Sequence, residues 1–228
     1  MTGVDLKSAR REIGCTQAEA AARLGVTQAY LSMVERGVRS VSAELSARVL
    51  EVMDLPATAL PVGEYLRPGR EHGFFQAALA SLGYPGFACL GAGALRNPAE
   101  VLMAALDTDD LDARVTEALA WLPMEFPTMP WDWLTAQAKL ADRQNRLGYV
   151  VELGRQAAGR TGKLQLEAEL AARVAKLEPS RLAKEDTLCR ESMTSAERGW
   201  LRVHRGKLAD HWNLLTDLTV EQLSYVGA

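Results

Sequence analysis

The sequence predicts an all-α protein: a small N-terminal helical domain followed by a larger helical region built from helix pairs. Apolar residues recur at three- and four-residue spacing, as in Leu45, Val49 and Met53, which is the period of a helix with one buried face. Two Thr-x-x-Glu pairs, Thr16 with Glu19 and Thr194 with Glu197, have the form of capping boxes. In such a box the hydroxyl and the carboxylate satisfy two N–H groups that a helix start leaves free. Glycines at 14, 25 and 37 then stop successive helical stretches, because glycine accepts the left-handed conformation that ends a helix.

Residues 1–60 read as a string of short helices. "VDLKSARREIG" places Leu6, Ala9, Arg10 and Ile13 on one face. "TQAEAAARLG" starts at Thr16, "TQAYLSMVERG" at Thr27 and "VSAELSARVLEVMDLP" at Ser42, each a side chain suited to an N-cap. A short turn in "DLPATAL" closes the set.

Residues 61–96 differ. "PVGEYLRPGREHG" is rich in proline, glycine and charge and reads as a linker; "SLGYPGFACLGAGALRNP" is glycine-rich and suits an extended segment.

Helix signals return with Asn97 as N-cap, Pro98 at the first helical position and Glu100 at the third. "DDLDARVTEALAWL" is the next helix, with acid at the end that the helix dipole favours. After a Pro-rich corner, "WDWLTAQAKLADRQNRLGYVVELGRQAA" is the longest helical pattern, with a kink expected near Gly148. "KLQLEAELAARVAKLEPS" stops before Pro179, and "TSAERGWLRVHRG" follows. The expected division is 1–60, a connection over 61–96, and a dimerisation or partner-binding domain over 97–228. The helix pairs share no repeated motif, so no solenoid is expected.

Composition bounds the function. The chain has 228 residues, 48% hydrophobic and 24% charged, with a formal net charge of −3. Bulk charge therefore gives no reason to bind nucleic acid, and any such binding must come from a local basic face. Cys15, Cys89 and Cys189 are scattered, which fits a reducing compartment. The first residues lack an apolar signal core, and "GFFQAALASLGYPGFACLGAGAL" is too interrupted to span a membrane. A cytoplasmic protein without a membrane partner is the expectation.

In the pair "TQAEAAARLG" and "VTQAYLSMVERG", Ala21 faces inward from the first helix, and Leu31 and Val34 from the second. A small residue lets the helices cross closely, and Gly25 suits the turn between them. This stretch resembles the helix-turn-helix of lambda-repressor-like, XRE-type transcriptional regulators, over about residues 4–60. The shared features are the two Thr-Gln openings, Ala21, Gly25, Leu31, Ser32 and the Glu35-Arg36-Gly37 ending. Ala20 stands where leucine is usual, and Met33 where several members have a polar base reader.

The resemblance implies double-stranded DNA as ligand and an interhelical ion pair between Arg10 and Glu35. Gln17, at the start of the scaffold helix, is a candidate for a phosphate. Thr27, Gln28 and Ala29 form the first turn of the helix that enters the major groove. The Gln28 amide matches the donor and acceptor of adenine, and Ala29 suits a thymine methyl. Ser32 and Met33 either read the groove or fill space. Arg36 and Arg39 are phosphate candidates, Arg39 alternatively for the minor groove.

Other constellations are weaker. His204 and His211 lie seven apart across Gly206 without further ligands, and His72 stands alone, so no metal is expected. "GAGALRNPAE" lacks a phosphate-loop spacing, and "DTDDLD" lacks a calcium-loop spacing. No catalytic motif or cofactor signature is visible. Trp121, Trp131 and Trp133 gather at the Pro-rich corner, either as core or as a partner pocket. The apolar segment from Trp212 to Tyr225 either docks on its own domain or reaches a neighbour. The expected function is a regulator, a homodimeric repressor on a palindromic operator. The competing expectation is an antitoxin or adaptor that neutralises a protein partner such as a toxin.

Overall fold

The computed structural model describes residues 1–63, 73–90 and 94–225, with Ala43 described in its backbone only. The fold is all-α apart from one minimal pair of strands. Contacts divide the chain into two compact units, Met1–Val62 with Leu95–Asn97, and Gly63–Ala94 with Pro98–Ala228.

The first unit holds α1 (Gly3–Glu12), α2 (Gln17–Arg23), α3 (Gln28–Glu35) and α4 (Ala43–Met53). Thr16, Thr27 and Ser42 cap α2, α3 and α4 as their sequence context predicts, and Thr16 completes a box with Glu19. A further box, Thr2 with Asp5, starts α1. Leu6, Leu24, Leu31, Val34 and Val49 are fully buried; each such side chain contributes about 1.5–3 kcal/mol on leaving water. Ala20 is buried despite its small size. Ile13, expected on the inner face, is exposed because it is the C-cap, where the chain turns away toward Gly14. Asn97 closes the unit: its amide nitrogen donates to the carbonyls of Thr58 and Leu60.

The second unit begins with α5 (Phe74–Ser81), a helix inside the stretch 61–96 expected to be a connection. Phe75 and Leu79, one helical turn apart, bury with Ala78, and Tyr84 and Phe87 bury just beyond. That apolar face, set between glycine-rich flanks, outweighs them. The linker reading of "EYLRPGREH", His72 included, and the glycines at 91 and 93 lie outside the described residues.

Next come α6 (Pro98–Leu106), α7 (Ala113–Ala118), α8 (Trp121–Glu125), α9 (Trp131–Leu140), α10 (Gln144–Arg160) and α11 (Leu164–Leu177). Two of these breaks depart from the sequence expectation. The helix predicted over "DDLDARVTEALAWL" is split into α7, capped by Asp112, and α8. The long pattern from Trp131 breaks between α9 and α10, where Asp142 sits at φ 56°; a short polar side chain tolerates that conformation. Gly148 instead lies inside α10. It marks a close approach, since a Cβ there would stand 2.3–2.6 Å from the Trp212 ring.

α10 is buried on most of its surface and packs on α8, α9 and α11. Its Arg146 is a fully buried cation, with 2.7 and 2.8 Å contacts to Asp186, a 3.0 Å contact to Glu191 and a 2.9 Å contact to the Leu106 carbonyl. Burial alone would raise the Asp186 carboxyl, but hydrogen bonds from Arg146 hold it below its usual range.

α12 (Ser195–His204) starts at the predicted Thr194–Glu197 box, and α13 (Lys207–His211) follows Gly206. β1 (Asp186–Thr187) and β2 (Leu214–Leu215) pair in parallel, Asp186 with Leu214 and Thr187 with Leu215. The terminal segment docks on its own unit: Trp212, Leu214, Leu215, Val220 and Leu223 are buried.

Candidate nucleic-acid interface

α2 and α3 are joined by a turn in which Gly25 adopts φ 64°. Arg48 of α4 donates to the Leu24 carbonyl at 2.8 Å, tying the end of α2 to α4. α1 braces the far end of α3. A Cβ on Gly3 would stand 1.8 Å from the Val34 carbonyl oxygen, so the two backbones approach as only glycine permits.

Under α3 lies a buried charge cluster. Arg10 meets both oxygens of Glu35, Nε at 2.6 Å and Nη2 at 3.0 Å, and its Nη1 donates to the Cys15 carbonyl at 2.7 Å. The Glu35 side chain is 1% exposed. Gln17 also donates its amide N–H to Glu35, at 2.9 Å. Burial alone would raise the Glu35 carboxyl; the hydrogen bonds from Arg10 and Gln17 outweigh it and hold the group below the usual carboxylate range. α1, α2 and α3 are therefore fastened at one point. The Arg10–Glu35 contact matches the pairing that the resemblance implies.

The Gln17 side-chain amide turns inward to the carboxylate, while its backbone stands at the first position of α2. The bond joins residues eighteen apart in sequence, and no local pattern announces it.

The outward face of α3 carries the remaining candidates. Thr27, Gln28, Ala29, Arg36 and Arg39 are exposed, and Ser32 and Met33 half-buried. The Thr27 hydroxyl accepts from the Tyr30 N–H, so it caps the helix before it touches any ligand. Gln28 has neither a hydrogen bond nor an ion pair among the described residues. Arg36 lies along its helix with Nε donating to the Ser32 carbonyl at 3.2 Å.

Electrostatics reconcile this face with the neutral first sixty residues. The one carboxylate of α3 is Glu35, buried against Arg10. Asp5 and Glu19 serve their capping boxes. Arg11, Arg23, Arg36 and Arg39 have no ion-pair partner among the described residues. A neutral region thus presents a helix face without exposed negative charge.

Four short helices, a glycine turn and a second helix with an exposed polar first turn define a helix-turn-helix DNA-binding unit. Comparison with protein families agrees: the family model described as Helix-turn-helix matches residues 6–60. That stretch is of the lambda-repressor-like, XRE type found in DNA-binding transcription regulators. Neither a curated protein nor a solved structure matches the chain.

The tryptophan corner lies in the second unit and is mostly buried. Trp121 and Trp131 are 8% and 5% exposed, and Trp133 is half-buried. Trp121 packs edge-on against Tyr84 and Phe126, and the Trp131 indole N–H donates to the Pro127 carbonyl. Trp121 and Trp131 are therefore core residues of the second unit. His204 stacks on Trp200, while His211 contacts Glu178 at 2.9 Å. Among the described residues no group of three His, Cys, Asp or Glu side chains is placed to hold a metal, and no helix is long and apolar enough to cross a membrane.

Proposed function

We propose that the chain is a sequence-specific transcriptional repressor that binds a palindromic operator as a homodimer, including one at its own promoter. The observation that carries this reading is Gln28: an exposed amide without an internal partner, on the first turn of a helix fastened by the Arg10–Glu35–Gln17 cluster. Preorganised and unpaired, it offers the donor–acceptor pair that adenine matches in the major groove. Thr27 and Ala29 flank it, Ser32 and Met33 lie one turn on, and Arg36 and Arg39 serve the backbone. One such unit covers one half-site, and a dimer covers two, about 34–36 Å apart. The rival reading, an adaptor built to neutralise a protein partner, would dock that partner on the tryptophan corner and the terminal segment; the burial of Trp121, Trp131 and Trp212 weighs against it.

The test is a footprint on the DNA upstream of the chain's own reading frame, followed by binding of Gln28→Ala. Loss of about 1–3 kcal/mol on the protected site, with binding to unrelated DNA unchanged, is expected. Equal loss on both DNAs would remove Gln28 from the base readers.

A further inference from the structure

A cleft of about 720 Å³ opens on the second unit, between α7, the segment 188–193, α12 and the terminal segment. Its lining is about half apolar and half polar. Leu188, Met193, Leu201 and Leu215 line it, and the last three form a small hydrophobic cluster of their own. The volume falls in the range of small-molecule sites, which combine an apolar lining with a few convergent polar groups.

The polar groups here are mostly of one sign. Asp110, Asp112, Glu117 and Asp217 line the cleft, against one cation, Arg190. Three of these five charged side chains are already engaged. Asp110 accepts from the Ser192 N–H at 2.9 Å, and Asp112 from the Arg114 N–H at 2.9 Å. Arg190 donates to Glu197 at 2.8 Å. Glu117 and Asp217 have no hydrogen bond or ion pair among the described residues. They reach the cleft from separate elements, α7 and the terminal segment.

We propose that this cleft binds a small organic cation with an apolar body, an arylalkyl- or alkylamine by class. The body lies on the leucine and methionine floor, and the ammonium group meets Glu117 and Asp217. An anion of the same shape meets four carboxylates and is excluded. A neutral analogue gains only the floor. The site is independent of the DNA-binding reading, since every lining residue belongs to the second unit.

The test uses the full chain and three probes of one shape: phenethylamine, 2-phenylethanol and phenylacetate, titrated by ligand-observed NMR. The amine should bind about tenfold more tightly than the alcohol, the sum of two partly solvated ion pairs, and phenylacetate should not bind. The double variant Glu117→Gln/Asp217→Asn should bring the amine to the alcohol's affinity and leave the alcohol unchanged. Ala113→Phe, which puts a ring where a methyl lines the cleft, should remove both. Raising salt from about 0.05 M to about 0.5 M should shrink the amine's advantage on the unmodified chain, a readout that stands even if a variant fails to fold. Equal binding of amine and alcohol, binding of none of the three, or a preference that survives salt or the double variant overturns the proposal.

Discussion

Arg36 sits at the C-cap of α3 with its guanidinium laid along the helix and no carboxylate partner. A cation in that position can turn toward a phosphate without breaking an ion pair, losing only one 3.2 Å bond to a backbone carbonyl. Arg36→Ala should therefore weaken binding to every DNA sequence and reduce the slope of log affinity against log salt by about one; a slope that does not move takes Arg36 off the phosphate list. Glu35 behaves oppositely, because its charge is spent inside the protein. Its carboxyl is held below the usual range, so its contribution is fully present above the unfolded value and disappears as pH falls through the folded one. Glu35→Gln leaves Arg10 buried without a counter-charge, which typically costs about 3–5 kcal/mol. Protection from hydrogen exchange over residues 3–53 should fall accordingly at neutral pH, and the variant should lose the wild type's acid sensitivity in that region. Wild-type protection in the variant would make the pair dispensable.

At the scale of elements, the close crossing of α1 over α3 gives the next expectation. Gly3→Ala places a methyl against the Val34 carbonyl, and the obstacle is backbone. The start of α1 must lift, at about 1–3 kcal/mol, and exchange protection in α1 and α3 should drop together. Operator affinity should fall with it, since α3 loses its brace; unchanged protection would mean that the N-terminus yields freely.

The same elements show what the sequence makes legible. The starts of α2, α3, α4 and α12 could be read from their capping residues, and the inward Leu31 and Val34 from spacing, because both signals are local. The exposed face of α3 followed from that spacing. The inward turn of Gln17 did not, since its partner is eighteen residues away. Nor did the break at Asp142, where the apolar pattern runs on into the next helix. The β1–β2 pair was equally hidden: two residues carry no period, and the strands lie beside the Arg146–Asp186 contact that only the packed unit creates. α5 was obscured by its flanks, although Phe75 and Leu79 carry its buried face.

On the scale of the whole molecule, the proposed dimer would add affinity for DNA through tethering. The first sixty residues are neutral, and the acidic excess lies in residues 61–228, so the second unit adds no general attraction to a polyanion. If it joins two copies, the second half-site is bound at the effective concentration set by the dimer, and affinity rises by about 10²–10⁴ without a new DNA contact. Removing residues 98–228 separates these effects. The fragment keeps Leu95–Asn97, so the Asn97 bonds to Thr58 and Leu60 that close the first unit survive. It also loses the acidic excess, which through charge alone would strengthen binding. A folded monomer in sedimentation, with affinity for the full operator lowered toward that for a half-site, is therefore the signature of a lost clamp and cannot arise from electrostatics. A fragment that remains dimeric and binds the operator as tightly as the full chain would place the clamp in the first unit and leave the second for ligand recognition alone.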